Sequence, residues 1–191
     1  MKGKRLQNGA PWFIRVPKSA VFVLLVALLA NLVACKRKEI GIPFETLVQG
    51  EPQLLDNQDW NYVVHYERVD LMVATDPAEA QNIADRLSPE RPGMRLKEIA
   101  DVDYGEYLVV AAYFGTKPHG GFAITIEKIT QAGHDVNVVV STVEPTGGDT
   151  TVIHPIHAVK IKRADLPVKG HLVFRLWKED EVVLTREHSV P

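Results

Sequence analysis

Apolar positions divide the chain into a leader and a β-rich body. Ala20 to Ala34 is an almost unbroken apolar run, preceded by a segment, Met1 to Lys18, that holds Lys2, Lys4, Arg5, Arg15 and Lys18 and no acid. The run is short for an oil layer of roughly 30 Å, which takes about 20 apolar residues to cross. The pattern therefore predicts a cleaved export signal whose basic end stays on the cytoplasmic side. From Glu39 to about Asp59, Gly41, Pro43, Gly50 and Pro52 interrupt mixed residues without a sustained period. This stretch reads as a tether running into a first extended segment at Phe44 to Val48. Tyr62 to Tyr66 and Leu71 to Ala74 are short runs rich in β-branched or aromatic residues, which favour strands.

One helix stands out. Asp76 is placed to cap it, Pro77 suits the first helical position, and Glu79 completes an Asp-x-x-Glu box. Ala80, Ile83, Ala84 and Leu87 follow the i, i+3, i+4, i+7 spacing of a buried stripe, and Ser88-Pro89 ends it. Pro89 to Asp103 reads as a long connection. Beyond it the period becomes two. Tyr107 to Phe114 is continuously apolar between Gly105 and Gly115, as in a central strand covered on both faces. Phe122, Ile124 and Ile126 alternate with wetter positions, as do Val136, Val138 and Val140 within His134 to Thr142. Val159 and Ile161 alternate with Lys160 and Lys162, and Leu172, Phe174 and Leu176 precede the turn Lys178-Glu179-Asp180-Glu181 and a returning Val182 to Arg186, a hairpin. The predicted class is α+β, mainly antiparallel β: a small β-sandwich or partly closed barrel with one packed helix.

The chain's one cysteine, Cys35, follows Leu32-Val33-Ala34 at the end of the apolar run. Small residues before such a cysteine resemble a lipobox, in which the cysteine is thioether-linked to diacylglycerol and becomes the mature N-terminus. Lys36-Arg37-Lys38 beside it can touch anionic headgroups. The expected organisation is 1–34 signal peptide, 35–58 lipidated tether and first extended segment, and 59–191 a single β-rich domain, located in the cell envelope, on the outer membrane if the organism has one. The first 34 residues hold five of the 22 basic residues and none of the 24 acids, which leaves the remaining 157 at a formal charge of −7. That charge speaks against nucleic acid as a partner. With Cys35 lipidated, the chain can form neither an internal disulfide nor a cysteine-bearing metal site.

Candidate chemistry is sparse. Ser19, Ser88, Ser141 and Ser189 lack the Gly-x-Ser-x-Gly elbow that exposes a nucleophile. His154 and His157 form the densest histidine pair, but positions three apart on a strand face opposite ways, and no His-Glu-x-x-His helix accompanies them. No catalytic residue, metal ligand or cofactor site is assigned. Asp101 and Asp103 read as solvated acids of a polar connection, and Trp60, Tyr62 and Tyr66 as core aromatics or, alternatively, the lining of a ligand cleft. Paired glycines and a proline give Lys117-Pro118-His119-Gly120-Gly121-Phe122 a defined shape, which reads either as a tight β-connection whose glycines satisfy geometry only or as a candidate partner-binding loop. The Walker and Rossmann glycine patterns are both missing there.

At this loop a family resemblance becomes specific. Val109-Val110-Ala111-Ala112-Tyr113-Phe114-Gly115, Lys117 to Phe122 and Ile124-Thr125-Ile126 resemble the apolar strand, Pro-Thr-Gly-Gly-Tyr-like turn and alternating strand of the PrcB C-terminal domain family. His119 stands where threonine is usual and Phe122 where tyrosine is. Val143-Glu144-Pro145-Thr146-Gly147-Gly148 resembles the family's proline-bearing turn, and His154 to Ile161 its Pro-Tyr-His-x-Val-like strand. The resemblance covers roughly 108–161, with weaker echoes at Pro43-Phe44 and from Asp70 to Leu87. It implies an exported, membrane-anchored, non-catalytic module. Its partners would be membrane lipid through Cys35 and an exported protease or other envelope protein. A looser similarity to chagasin-like protease inhibitors, which carry a Pro-Thr-Thr-Gly-Tyr-type loop on a β-sandwich, implies inhibition as an alternative. A small-ligand-binding envelope lipoprotein is another.

Overall fold

The computed structural model describes residues 38–50, 68–87, 96–147 and 152–191. The expected leader, Cys35, Trp60, Tyr62, Tyr66 and Ser88-Pro89 lie outside the described residues. In chain order the elements are β1 (Ile40–Gly41), β2 (Glu45–Gly50), β3 (Asp70–Ala74), α1 (Pro77–Leu87), α2 (Lys97–Ala100), β4 (Tyr107–Tyr113), β5 (Ala123–Ala132), β6 (Asp135–Val143), β7 (Ile156–Lys162), a 3₁₀ turn (Arg163–Asp165), β8 (Gly170–Lys178) and β9 (Glu181–Val190). They form a five-stranded sheet, β1-β5-β6-β8-β9, and a four-stranded sheet, β2-β7-β4-β3. Of the two expected architectures, the sandwich is the one formed.

The apolar run of β4 explains the layering. Leu108, Val110 and Ala112 face the other sheet and share a core with Ile124, Val136, Val138, Phe174 and Leu176. Val109, Ala111 and Tyr113 point the other way, into a second core with Ala80, Ile83, Ala84 and Leu87 of α1. A strand buried on both faces has no wet positions to alternate, so its pattern is continuous. Each large aliphatic or aromatic side chain so buried contributes about 1.5–3 kcal/mol.

Helix α1 starts as its sequence predicts, with one change in the box. Asp76 Oδ1 accepts the Glu79 N–H at 2.7 Å, but the Glu79 carboxylate reaches past the cap to the Thr75 N–H at 2.6 Å and the Thr75 hydroxyl at 2.8 Å. A single helix was expected, yet a second, α2, interrupts the connection read from Pro89 to Asp103. Four residues are too few to show a helical period, and α2 is held by burial of Ile99 beside Leu96 and Tyr104. The Tyr104 hydroxyl donates to the Ile99 carbonyl at 2.9 Å, and burial, followed by the charges of Asp76 and Glu79, pushes its pKa up to about 12. Among the described residues no helix is long and apolar enough to cross a membrane.

Topology adds one departure from antiparallel order. After β6 the chain crosses to the other sheet as β7 and returns as β8, so β6 and β8 run parallel, with Asp135 opposite Val173 and Val140 opposite Lys178. The other strand pairs are antiparallel. Strands β1 and β2 are sheet members, and Ile42 between them is core, so the compact unit runs from Lys38 to Pro191. Arg163 ties the β7 end of this unit together. Its Nε donates to the carbonyls of Tyr104 (3.1 Å) and Tyr107 (3.2 Å), Nη1 to that of Pro191 (3.4 Å), and Nη2 to that of Thr75.

Candidate functional site

The loop after β4 is fixed on both flanks. The Phe114 N–H donates to the Pro155 carbonyl at 2.9 Å, and Lys117 exchanges both backbone hydrogen bonds with Ile153, at 2.9 and 3.1 Å. Between these contacts Gly115 turns with φ +82°, a region that side-chain-bearing residues seldom occupy. Gly121 closes the loop with φ +90°, and a Cβ there would stand 3.1 Å from Pro145 Cγ. The proline-bearing turn that the sequence places after β6 is therefore the floor against which the Gly-Gly turn packs.

Side chains from four places converge on this loop. The Phe114 and Phe122 rings meet edge to face, 6.2 Å apart at 63°, and the His119 ring lies 4.9 Å from Phe122. Lys117 Nζ stands 3.6 Å above the Phe114 ring and 5.4 Å from that of Phe122. Lys178, from the end of β8, brings a second ammonium 5.5 Å from Phe114 and pairs with Glu144 at 2.8 Å. A cation over an aromatic face gains about 0.5–1 kcal/mol where exposed and about 2 where desolvated. Burial lowers the Lys117 pKa; Glu144 opposes that shift and Lys178 adds to it. Hydrogen bonding and charge from Lys178 hold Glu144 below the usual carboxylate range. His119 folds back on the loop, its Nδ1 3.0 Å from the Gly120 carbonyl. The result is a shaped aromatic and cationic surface, suited to binding through packing and charge.

Of the six residues read as the candidate loop, Lys117, His119 and Phe122 come together in this cluster, while Pro118 and Gly121 are exposed and shape the backbone. Phe114, itself buried, lies beneath this surface, and Glu144 and Lys178 border it. Phe114 could have been found as the last residue of the apolar run before glycine. Lys178 had no local signal, since a hairpin far along the chain delivers it.

Gly121→Val is expected to cost about 1–3 kcal/mol, because valine would have to hold a left-handed backbone against Pro145. Thermal melting measures this, and a variant that melts like the parent would show that the loop does not need its observed form.

His154 and His157 lie apart. The His154 ring packs below the loop, Nδ1 3.4 Å from both the Tyr113 and Thr116 hydroxyls. His157 lies on the other side of β7, where Nδ1 accepts the Ile126 N–H at 2.6 Å. An accepting Nδ1 leaves the proton on Nε2, which donates to Thr46 Oγ1 at 2.9 Å. This imidazole substitutes for a strand partner at the edge of β5. Burial lowers both pKa values; for His157 the charge of Glu127 opposes it. Both rings are thus neutral in the fold. Their stabilisation is complete above the unfolded value near 6.5 and is lost as pH falls from there toward the lowered folded values. The limiting loss is about 1.4 kcal/mol per pH unit for each histidine. Urea midpoints should fall between pH 7.5 and 5.5, and less steeply in His157→Gln; equal slopes would contradict this assignment.

The remaining candidates have structural neighbours. Asp103 Oδ1 accepts the Gly105 N–H at 2.9 Å in the turn into β4, and Asp101 follows the end of α2. The Ser141 hydroxyl donates to Glu127, and Ser189 is exposed on β9. Among the described residues no group of three or more His, Cys, Asp or Glu is placed to hold a metal ion. A cleft of about 750 Å³ lined by Tyr104, Glu106, Lys162, Arg163 and Lys169 lies at the opposite end of β4 from the loop.

Residues 108–162 match the PrcB C-terminal family model, the family that this stretch resembles in its motifs. The match includes β4, the loop, β5, β6, the Pro145 turn and β7. No curated protein and no solved structure matches the chain.

Proposed function

We propose that the chain is an exported lipoprotein, anchored through Cys35, whose PrcB C-terminal segment works as a non-catalytic protein-interaction module, an accessory subunit to an envelope protease. The observation that carries this reading is the loop from Gly115 to Phe122. It lies inside the family-matched segment, is pinned by Ile153 and Pro145, and offers Lys117, His119 and Phe122 on one shaped surface. Loops held by a rigid β-scaffold are where such proteins place their contacts. A preformed loop also binds at little ordering cost.

The test is affinity capture of the lipidated protein from solubilised envelope, followed by mass spectrometry and a peptidase assay. An exported peptidase should be enriched with the parent and depleted with Gly121→Val. Capture without any peptidase would sink the accessory role, and a captured peptidase that is slowed by the purified protein would move the reading to inhibition.

A further inference from the structure

The candidate loop and the N-terminal end of the domain lie at opposite ends of one strand. Strand β5 begins at Ala123, directly after the loop, and Ile40 pairs with Gln131 near its far end. The Ile42 N–H donates to the Ile129 carbonyl at 2.8 Å, Glu39 accepts from the Thr130 hydroxyl, and the step back from Gly41 to Ile40 runs from Thr130 to Gln131, further from the loop. From Ala123 to Gln131, with a bulge between Ile126 and Lys128, the strand spans roughly 24 Å. Val168 and Lys169 share the far end, since Gln131 Nε2 donates to the Val168 carbonyl at 2.8 Å.

Resting on the proposed anchoring at Cys35, covalent reach then limits the orientation. Ile40 is five residues beyond Cys35, a distance of roughly 17 Å even when fully extended. A domain standing upright with its loop on the bilayer would hold Ile40 roughly 24 Å above it, beyond that reach. We infer that the Lys117–Phe122 loop faces away from the membrane and meets an exported protein whose contact surface stands roughly 24 Å or more off the bilayer. The far end of the sandwich, with Lys169, is the end next to the lipid.

The test uses the full lipidated protein in vesicles of phosphatidylethanolamine and phosphatidylglycerol carrying a headgroup quencher. His119→Cys and Lys169→Cys are labelled separately with a small fluorophore; the thiol of Cys35 is consumed by its thioether. Fluorescence at 169 should be quenched severalfold more than at 119. Equal or stronger quenching at 119, in protein that floats with the vesicles, would overturn the orientation alone. Protein that fails to float would remove the anchoring and the orientation with it.

Discussion

Changing Cys35 to serine is expected to release the protein from the membrane fraction and leave an unlipidated precursor. A serine hydroxyl does not take the thioether-linked diacylglycerol, and each acyl methylene lost removes about 0.8 kcal/mol of membrane affinity. More than one chain is what separates stable anchoring from marginal binding. Lys36, Arg37 and Lys38 remain in the variant, but basic residues near an anionic surface contribute about 1 kcal/mol each and are screened by salt. Fractionation with a high-salt, detergent-free wash therefore separates the cases. A serine variant that stays with the membrane through that wash would indicate an uncleaved apolar anchor instead of a lipid.

The second large effect lies where β3, α1 and β9 meet. Asp70 is fully buried and answers to two strands and a helix: Oδ2 lies 3.0 Å from Arg86 of α1, and Oδ1 accepts from Arg186 of β9 at 2.7 Å and from the Leu71 N–H at 2.9 Å. Removing one partner of a buried ion pair costs about 3–5 kcal/mol when the other charge is stranded. In Asp70→Ala the two half-exposed guanidiniums can turn to water, so the expected loss is about 2–3 kcal/mol, part of it from the Leu71 N–H. The double variant Arg86→Ala, Arg186→Ala takes both guanidiniums from the buried carboxylate and should lose more, about 3–5 kcal/mol. Denaturant titration of both variants checks the order. An Asp70→Ala protein as stable as its parent would mean that the bridge does not hold β3, α1 and β9 together.

Much of this fold was legible because local pattern and tertiary role coincide. The α1 stripe, its Asp76 cap and its Pro77 start are all local signals, and the unbroken run of β4 announces a strand covered on both faces. Strand β1 is two residues long and has no period to read, α2 has a single turn, and the parallel pairing of β6 with β8 follows from a crossover that no window of residues encodes. The hairpin after Lys178 was legible from its polar turn, although Glu179 and Asp180 hold positive φ where glycine or asparagine is usual. The role of Asp70 had no signal in the sequence, since one of its arginines is 116 positions away. The candidate loop was legible through its glycines and its family motif. Its cationic and aromatic character was not, because Phe114, Glu144 and Lys178 reach it from a strand end, a turn and a hairpin.

The central claim, that the loop is where this protein meets its partner, is tested most directly by a photo-crosslinking residue placed at position 119 in intact cells, with the same residue at position 169 for comparison. A discrete exported protein, a peptidase on the accessory reading, should crosslink from 119 and not from 169. A partner captured from 169 and absent at 119 would contradict the claim.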